Sequence, residues 1–178
     1  MPPLMRVALA LLAVGTLGCR RGDAGASLGD RFEPLEVGRT APAFAVRTLA
    51  GDSARVGAGE PLTLVNVWAT WCIPCQQEFG DLAALQRDYA ARGLRVLAVS
   101  VDAGDDAPVR DFVSAHDARF TIGRDPEARV RALYSSVGVP ESYLVDRAGR
   151  LRWRTIGALP AGAPRLRAVL DSVLAGTP

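Results

Sequence analysis

Two almost wholly apolar segments, Leu62–Trp68 (LTLVNVW) and Leu94–Val101 (LRVLAVSV), bracket a long stretch of helical periodicity, and Cys72-Ile73-Pro74-Cys75 stands where the first segment gives way to that stretch. Strands apolar on both faces belong to parallel sheets covered on each side by other elements. Between them Phe79, Leu82, Leu85 and Tyr89 recur on one face, which predicts a helix over Pro74–Arg92 stopped by Gly93. Strand, crossover helix and strand make a right-handed βαβ unit. The alternation continues on both sides of it. Ala43–Thr48 and Ala54–Val56 flank a Gly51-Asp52 turn and predict a short hairpin. Asp106-Ala107-Pro108 opens a helix through Ala115, Phe120–Ile122 predicts a strand, and Asp125-Pro126 caps and starts a helix running to Tyr134. Ser142–Asp146 and Leu151–Thr155 form a hairpin about Arg147-Ala148-Gly149-Arg150. The last helix, Pro164–Ala175, is expected to bury Leu166, Val169, Leu170, Val173 and Leu174. The expected fold class is α/β: a mixed central sheet, parallel at first and closed by an antiparallel hairpin, with helices on both faces.

Composition narrows the function. A chain of 178 residues with 49% hydrophobic and 22% charged residues can bury a core of its own and is no disordered tail. The formal net charge is +2, and the basic residues, all arginine, are scattered, so nothing points to nucleic acid as a partner. Three cysteines exclude a disulfide-dense scaffold, and a single histidine excludes most histidine-rich metal sites.

The cysteines divide by position. Residues 1–18 read as an export signal: Arg6 is the basic flank, and Val7–Leu17 is an apolar run too short to span a bilayer, which takes roughly 20 residues. The run ends in Thr16-Leu17-Gly18-Cys19, which resembles a bacterial lipobox, although Thr16 and Leu17 depart from its preferred residues. Cys19 is then the lipidated first residue of the mature chain. A cut after Ala26, following Ala24-Gly25, is the competing reading, in which Cys19 is removed. Residues 19–33 are rich in Gly, Asp, Ser and Ala and read as a flexible tether to a domain spanning 34–178.

Cys72 and Cys75 admit three readings. A stapling disulfide is poorly motivated, because closing so short a loop removes little entropy from the unfolded chain. A zinc half-site lacks partners: zinc takes three or four ligands, and the other Cys and His residues are Cys19, in the leader, and His116, late in a predicted helix. A redox pair fits the placement. The free N–H groups and partial positive charge of a helix N-terminus stabilise a thiolate, the attacking species in disulfide exchange. Cys72, at the helix start, gains most; Cys75, one turn on, is placed to resolve a mixed disulfide. Pro74 stiffens the helix start without losing a hydrogen bond.

Phe44, Gly51, Val65-Asn66-Val67-Trp68-Ala69-Thr70-Trp71-Cys72-Ile73-Pro74-Cys75, Glu78 and Gly138-Val139-Pro140-Glu141-Ser142-Tyr143-Leu144-Val145-Asp146 resemble the exported thioredoxin-like family of TlpA, ResA and DsbE type, over Leu35–Ala175. The resemblance implies a thioredoxin-like fold with a β-hairpin added at its front, and dithiol–disulfide exchange outside the cytoplasm, mostly as a reductant. It makes Cys72 the nucleophile and Cys75 the resolving thiol. It matches Pro140 to a cis-proline beside the dithiol that shapes a peptide groove. Glu78 and Glu141 stand at positions that are acidic in parts of the family, where a carboxylate raises thiol pKa values or relays protons. A solvated helix-surface Glu78 and a plain loop Glu141 are the structural alternatives. Asn66 replaces the buried aspartate of ordinary thioredoxins, so proton transfer needs another group. Trp71 is expected to flank the site, and Trp68 to flank it or lie in the core. Gly80 stands where the family often has a helix-kinking proline, which leaves the helix geometry near Glu78 open.

The resemblance implies no cofactor beyond the redox-active Cys72–Cys75 pair. Its partners would be oxidised client proteins, apocytochrome c among them, a membrane thiol–disulfide electron donor, and the membrane itself through a lipid on Cys19. A peroxidase is one alternative, because Ala41-Pro42-Ala43-Phe44 is shared with peroxiredoxin-like proteins, but their Pro-x-x-x-Thr-x-x-Cys setting is absent before Cys72. A copper-handling module on the same fold is another; such relatives use a wider Cys-x-x-x-Cys and a later histidine ligand.

Overall fold

The computed structural model describes residues 34–176. Seven strands and four helices follow one another as β1 (Phe44–Thr48), β2 (Ser53–Val56), β3 (Leu62–Trp68), α1 (Ile73–Tyr89), β4 (Leu94–Ser100), α2 (Ala107–Ala115), β5 (Thr121–Arg124), α3 (Arg129–Leu133), β6 (Glu141–Val145), β7 (Leu151–Ile156) and α4 (Pro164–Ala175). They build one sheet in the order β2-β1-β5-β4-β3-β6-β7. Its centre is parallel: β3 pairs with β4 from Leu62↔Leu94 to Trp68↔Ser100, and β4 with β5. Its flanks are antiparallel. The β6–β7 hairpin adds to β3, and the β1–β2 hairpin adds to β5 at the far side. This is the thioredoxin-like arrangement, extended by strands at the N-terminal end.

The continuity of the apolar runs has a direct cause. Successive strand residues face opposite sides of a sheet, and both sides are covered here. Leu64 and Trp68 of β3 and Val96 and Ala98 of β4 meet Phe79, Leu82 and Leu85 of α1, Val109 of α2, and Leu166 and Leu170 of α4. Val65 and Val67, with Leu97 and Val99, join Val130 of α3, Tyr134 and Tyr143 in a second core. Every residue of β3 is therefore buried. Asn66 falls on the α1 side of that strand, a polar side chain at a position its neighbours reserve for leucine and tryptophan.

Several boundaries differ from those read in the sequence, each for a local reason. The first long helix ends at Tyr89 and tightens into a 3₁₀ turn over Ala90–Arg92, which Gly93 closes in the left-handed conformation (φ 101°). The helix after β5 does not start at Asp125-Pro126. It is confined to Arg129–Leu133 because Ala128 takes a left-handed conformation (φ 53°), while the Asp125 carboxylate reaches over the turn to accept from the amides of Arg129 and Val130 at 3.0 and 2.8 Å. In α4 Leu166 and Leu170 are buried, whereas Val169, Val173 and Leu174 only border the core. Gly149 of the β6–β7 turn has φ 75°, and a Cβ there would lie 2.9 Å from the Ala58 backbone nitrogen.

Gly80 does not interrupt α1, which runs unbroken across it, and nothing lies within 4 Å of a Cβ built there. Gly80→Ala is therefore expected to raise unfolding stability by about 0.5–1 kcal/mol. Leu82→Ala, two residues on at a fully buried site, should lower it by about 2–5 kcal/mol. Urea titration of both variants checks the pair; a destabilised Gly80→Ala would show that the helix needs glycine there.

Candidate active site

The β3–α1 junction delivers the two cysteines. After Trp68 the chain turns through Ala69–Trp71, and the Cys72 amide donates back to the Ala69 carbonyl at 3.2 Å. Cys72 is the N-cap of α1, in an extended conformation, with Pro74 in the first turn. Cys72 and Cys75 are joined by a disulfide, and the Cys75 amide donates to Cys72 Sγ at 3.2 Å. An amide of the first helical turn, shared with the Cys72 carbonyl at 3.0 Å, thus points at the sulfur that the sequence assigns as nucleophile, and the partial positive charge of the helix N-terminus favours negative charge there. Cys75 is wholly enclosed and Cys72 nearly so. Trp71 and Ile73, on either side of Cys72, are 67% and 66% exposed, so the rim of the disulfide is apolar and open to solvent. Trp68 takes the other course: it is fully buried, packed against Phe79 and Phe112.

The second element arrives through β6. Its register sets Glu141 against Val67 and Ser142 against Asn66. The Val139–Pro140 peptide, which is cis, therefore lies at the end of β3 from which the chain departs for Cys72. Val137 in the same approach is 63% exposed.

Glu78 is not on the helix surface. It is 1% exposed and points into the sheet from α1, one turn after Cys75. Its Oε1 accepts from Asn66 Nδ2 at 2.7 Å, and its Oε2 from the Leu159 amide at 2.7 Å. Asn66 Nδ2 also donates to Ser142 Oγ at 3.0 Å, while Asn66 Oδ1 has no hydrogen-bond partner. Burial pushes the Glu78 carboxyl up from 4.5 to about 7; the bonds from Leu159 and Asn66 act against that rise, and Asp81 adds to it.

Glu141 is also buried, but elsewhere. Residues alternate along β6, so Ser142 and Leu144 share the α1 side with Glu78, while Glu141 and Tyr143 belong to the opposite face. Glu141 accepts from the amides of Val137 (2.8 Å) and Gly138 (3.2 Å) and from the Tyr143 hydroxyl. It holds the loop before Pro140, and the fold does not bring it together with Glu78. His116 ends α2, exposed, stacked on Phe112 at 4.0 Å. Among the described residues no group of three or more His, Cys, Asp or Glu side chains is placed to hold a metal ion. Cys19, the leader 1–18, the tether 19–33 and the alternative cut after Ala26 lie outside the described residues.

Residues 37–154 match the AhpC/TSA family. The chain belongs to that family. Within it the chain is similar to the thiol-disulfide oxidoreductase ResA of Bacillus cereus, 30% identical over 152 residues that cover 83% of this chain and 84% of that one. It is also similar to the thiol:disulfide interchange protein HelX of Rhodobacter capsulatus, 32% identical over 146 residues, covering 79% and 78%. Among solved structures, a DsbE-type thiol:disulfide interchange protein from Chlorobium tepidum superposes with a TM-score of 0.70 and 31% identity, covering 79% of this chain and 99% of that one. The chain is a ResA- and DsbE-like thiol–disulfide oxidoreductase, and its redox group is the Cys72–Cys75 disulfide.

Two members of the network around the buried carboxylate carry no signal in the sequence. Ser142 sits inside a recognised motif but only strand register shows that it faces Asn66, and Leu159 contributes a backbone amide, which no residue type announces. The raised Glu78 carboxyl has a measurable consequence. Folded protein holds this proton between about pH 4.5 and 7 while the unfolded chain has lost it, so stability falls as pH rises through that window. The span corresponds to about 3 kcal/mol. Guanidinium titrations of the oxidised protein from pH 4.5 to 8 should show this decline, and Glu78→Gln should flatten it. Equal slopes in the two proteins would remove Glu78 as the cause.

Proposed function

We propose that the protein reduces disulfides in other proteins outside the cytoplasm, with Cys72 as nucleophile and Cys75 as resolving thiol. The observation that carries this reading is the position of Cys72 Sγ, at the N-cap of α1 with an amide directed at it and an exposed apolar rim around it. In the reduced protein the Cys72 thiolate attacks one sulfur of a client disulfide. A Cys72–client bond forms, and the client's other sulfur leaves as a thiolate and takes up a proton. The Cys75 thiolate then attacks Cys72 Sγ. The mixed disulfide breaks, the second client sulfur leaves as a thiolate and takes up a proton, and the Cys72–Cys75 bond found in this structure is restored. Two electrons pass from dithiol to client, and a dithiol donor must return them.

Cys75 must lose a proton in the second step, in a site closed to solvent. Glu78, one turn along the same helix with its carboxyl pushed up to about 7, suits that task at neutral pH. Asn66 supports either charge state. Its Nδ2 donates to the ionised carboxylate, as observed; after a half-turn of the amide, Oδ1 accepts from the protonated acid and from Ser142. Trp71, Ile73 and Val137, all exposed, offer apolar surface to an extended client segment, and the buried Pro140 with its cis peptide sets the course of the chain that follows Val137. Glu141 shapes that surface by fixing the Val137–Gly138 amides. An apocytochrome c carrying a disulfide at its haem-attachment cysteines is a fitting client, a membrane dithiol protein a fitting donor, and a lipid on Cys19 a fitting anchor. No described helix is long and apolar enough to cross a membrane, so anchoring would fall to the segment before residue 34.

Cys75→Ser should accumulate mixed disulfides on Cys72, which mass spectrometry of trapped species from the exported fraction would name. Cys72→Ser should abolish insulin reduction, and turnover retained in that variant would overturn the assignment. Glu78→Gln should slow resolution of the mixed disulfide by about 100-fold at neutral pH while leaving its formation near the wild-type rate.

A further inference from the structure

The Thr70–Trp71 turn that leads into Cys72 is gripped by a carboxylate with no part in the exchange steps. Asp102 lies just beyond β4 and is buried. Its Oδ1 accepts from the Thr70 hydroxyl at 2.6 Å and the Thr70 amide at 3.1 Å; its Oδ2 accepts from the same amide at 3.0 Å and from the Ser100 hydroxyl at 2.8 Å. The Ser100 hydroxyl in turn accepts from Arg124 Nη1 at 2.7 Å. Donation therefore runs in one direction, from guanidinium to serine to carboxylate.

Arg124 is the anchor of this set. Its side chain is 1% exposed, and burying a cation is costly unless it is paired and its donors are used. All five N–H groups of a guanidinium can donate, and five bonds are present here. Nε goes to Asp106 Oδ1 at 2.8 Å, Nη1 to Ser100 Oγ and to the Asp102 carbonyl at 3.1 Å, and Nη2 to the carbonyls of Gly104 and Asp105 at 3.2 and 3.1 Å. Arg47 of β1 reaches the same Asp106 carboxylate. The backbone from Asp102 to Asp105 is thus wrapped about one fixed cation, which leaves the Asp102 carboxylate little freedom to move.

We propose that Asp102 is a positioning residue for the dithiol: braced by Arg124, it fixes Thr70 and so keeps Cys72 at the N-cap of α1. The turn transmits this hold at both ends. The Cys72 amide is bonded to Ala69, and the Thr70 carbonyl accepts from Gln76 Nε2 of α1 at 3.2 Å. The hold matters most after reduction, when no covalent bond ties Cys72 to Cys75 and the turn, with the Cys75 and Gln76 amides on the Cys72 carbonyl, is left to keep Cys72 Sγ against the first turn of α1. This inference rests on the reading of Cys72 as nucleophile.

The experiment measures alkylation of the reduced protein by iodoacetamide from pH 4 to 9, resolved at Cys72 and Cys75 by mass spectrometry, with melting curves for both redox forms. Thr70→Val removes the hydroxyl and leaves every charge in place: Asp102, Arg124, Asp106 and Arg47 on one side of the turn, Glu78 on α1 and Glu141 beyond Pro140. Its Cys72 midpoint should rise by about half a pH unit, and that of Asp102→Ala by about one, the scale of a charge at a helix N-terminus. Thr70→Ser, which keeps the hydroxyl, should restore the midpoint. Loss of the carboxylate's charge alone would move the Asp102→Ala midpoint down, so a fall there overturns the proposal. So does a wild-type midpoint in Thr70→Val, which would leave Asp102 as scaffold only. Alkylation of wild-type protein at Cys75 in preference to Cys72 would instead mark a failure of the nucleophile assignment.

Discussion

The chemistry depends on one meeting point, where the end of a fully buried strand hands the chain to the N-terminus of a long helix. The first amides of a helix lack intrahelical partners and carry partial positive charge. A cysteine at the N-cap places its sulfur on those amides without any metal or basic side chain. That effect requires the helix start to stay where it is. Burial of β3 on both faces, pairing with β4 and β6, and packing of Phe79, Leu82 and Leu85 under α1 supply the rigidity.

Some of the buried polar groups lie beside this junction. Glu78, Asn66 and Ser142 form a short chain on the α1 face, closed by the Leu159 amide. Two acceptor bonds keep the buried carboxylate tolerable, yet desolvation still outweighs them, and the acid is left poised near neutrality. Glu141 shows the opposite use of a buried carboxylate. With two backbone amides and a tyrosine hydroxyl on it, it orders a loop on the other face of the sheet. The two glutamates thus serve different surroundings: Glu78 reaches into the core from α1, whereas alternation along β6 turns Glu141 away from Ser142 to the other face of the sheet.

Much of this was legible in the residues. The strands β3 and β4, the helix between them, the closing hairpin and the last helix follow from period and punctuation, since a strand buried on both faces leaves no polar alternation. The short helix after β5 starts later than Asp125-Pro126 suggests because Ala128 adopts a left-handed conformation that nothing in an Asp-Pro-Glu-Ala sequence demands. The two sulfurs were legible because Cys-x-x-Cys at a strand–helix boundary is a local pattern with a local physical meaning. Asp102, Ser100 and Arg124 carry no such local signal: a Ser near the end of an apolar run, an Asp just past it and an Arg before a turn are ordinary residues until topology brings β4 and β5 together beside the β3–α1 turn.

What chain chemistry settles here is short-ranged: which segments are strands, where a helix starts, and which cysteine caps it. Those depend on neighbours three or four residues apart. The state of Glu78 and the bracing of Thr70 by Asp102 depend on partners 12 to 81 residues away and on exclusion of water, while strand register decides which face of the sheet Glu141 takes. A carboxylate's proton affinity is set by what surrounds it in space, and that is defined once the sheet has closed and α1 has been laid across it.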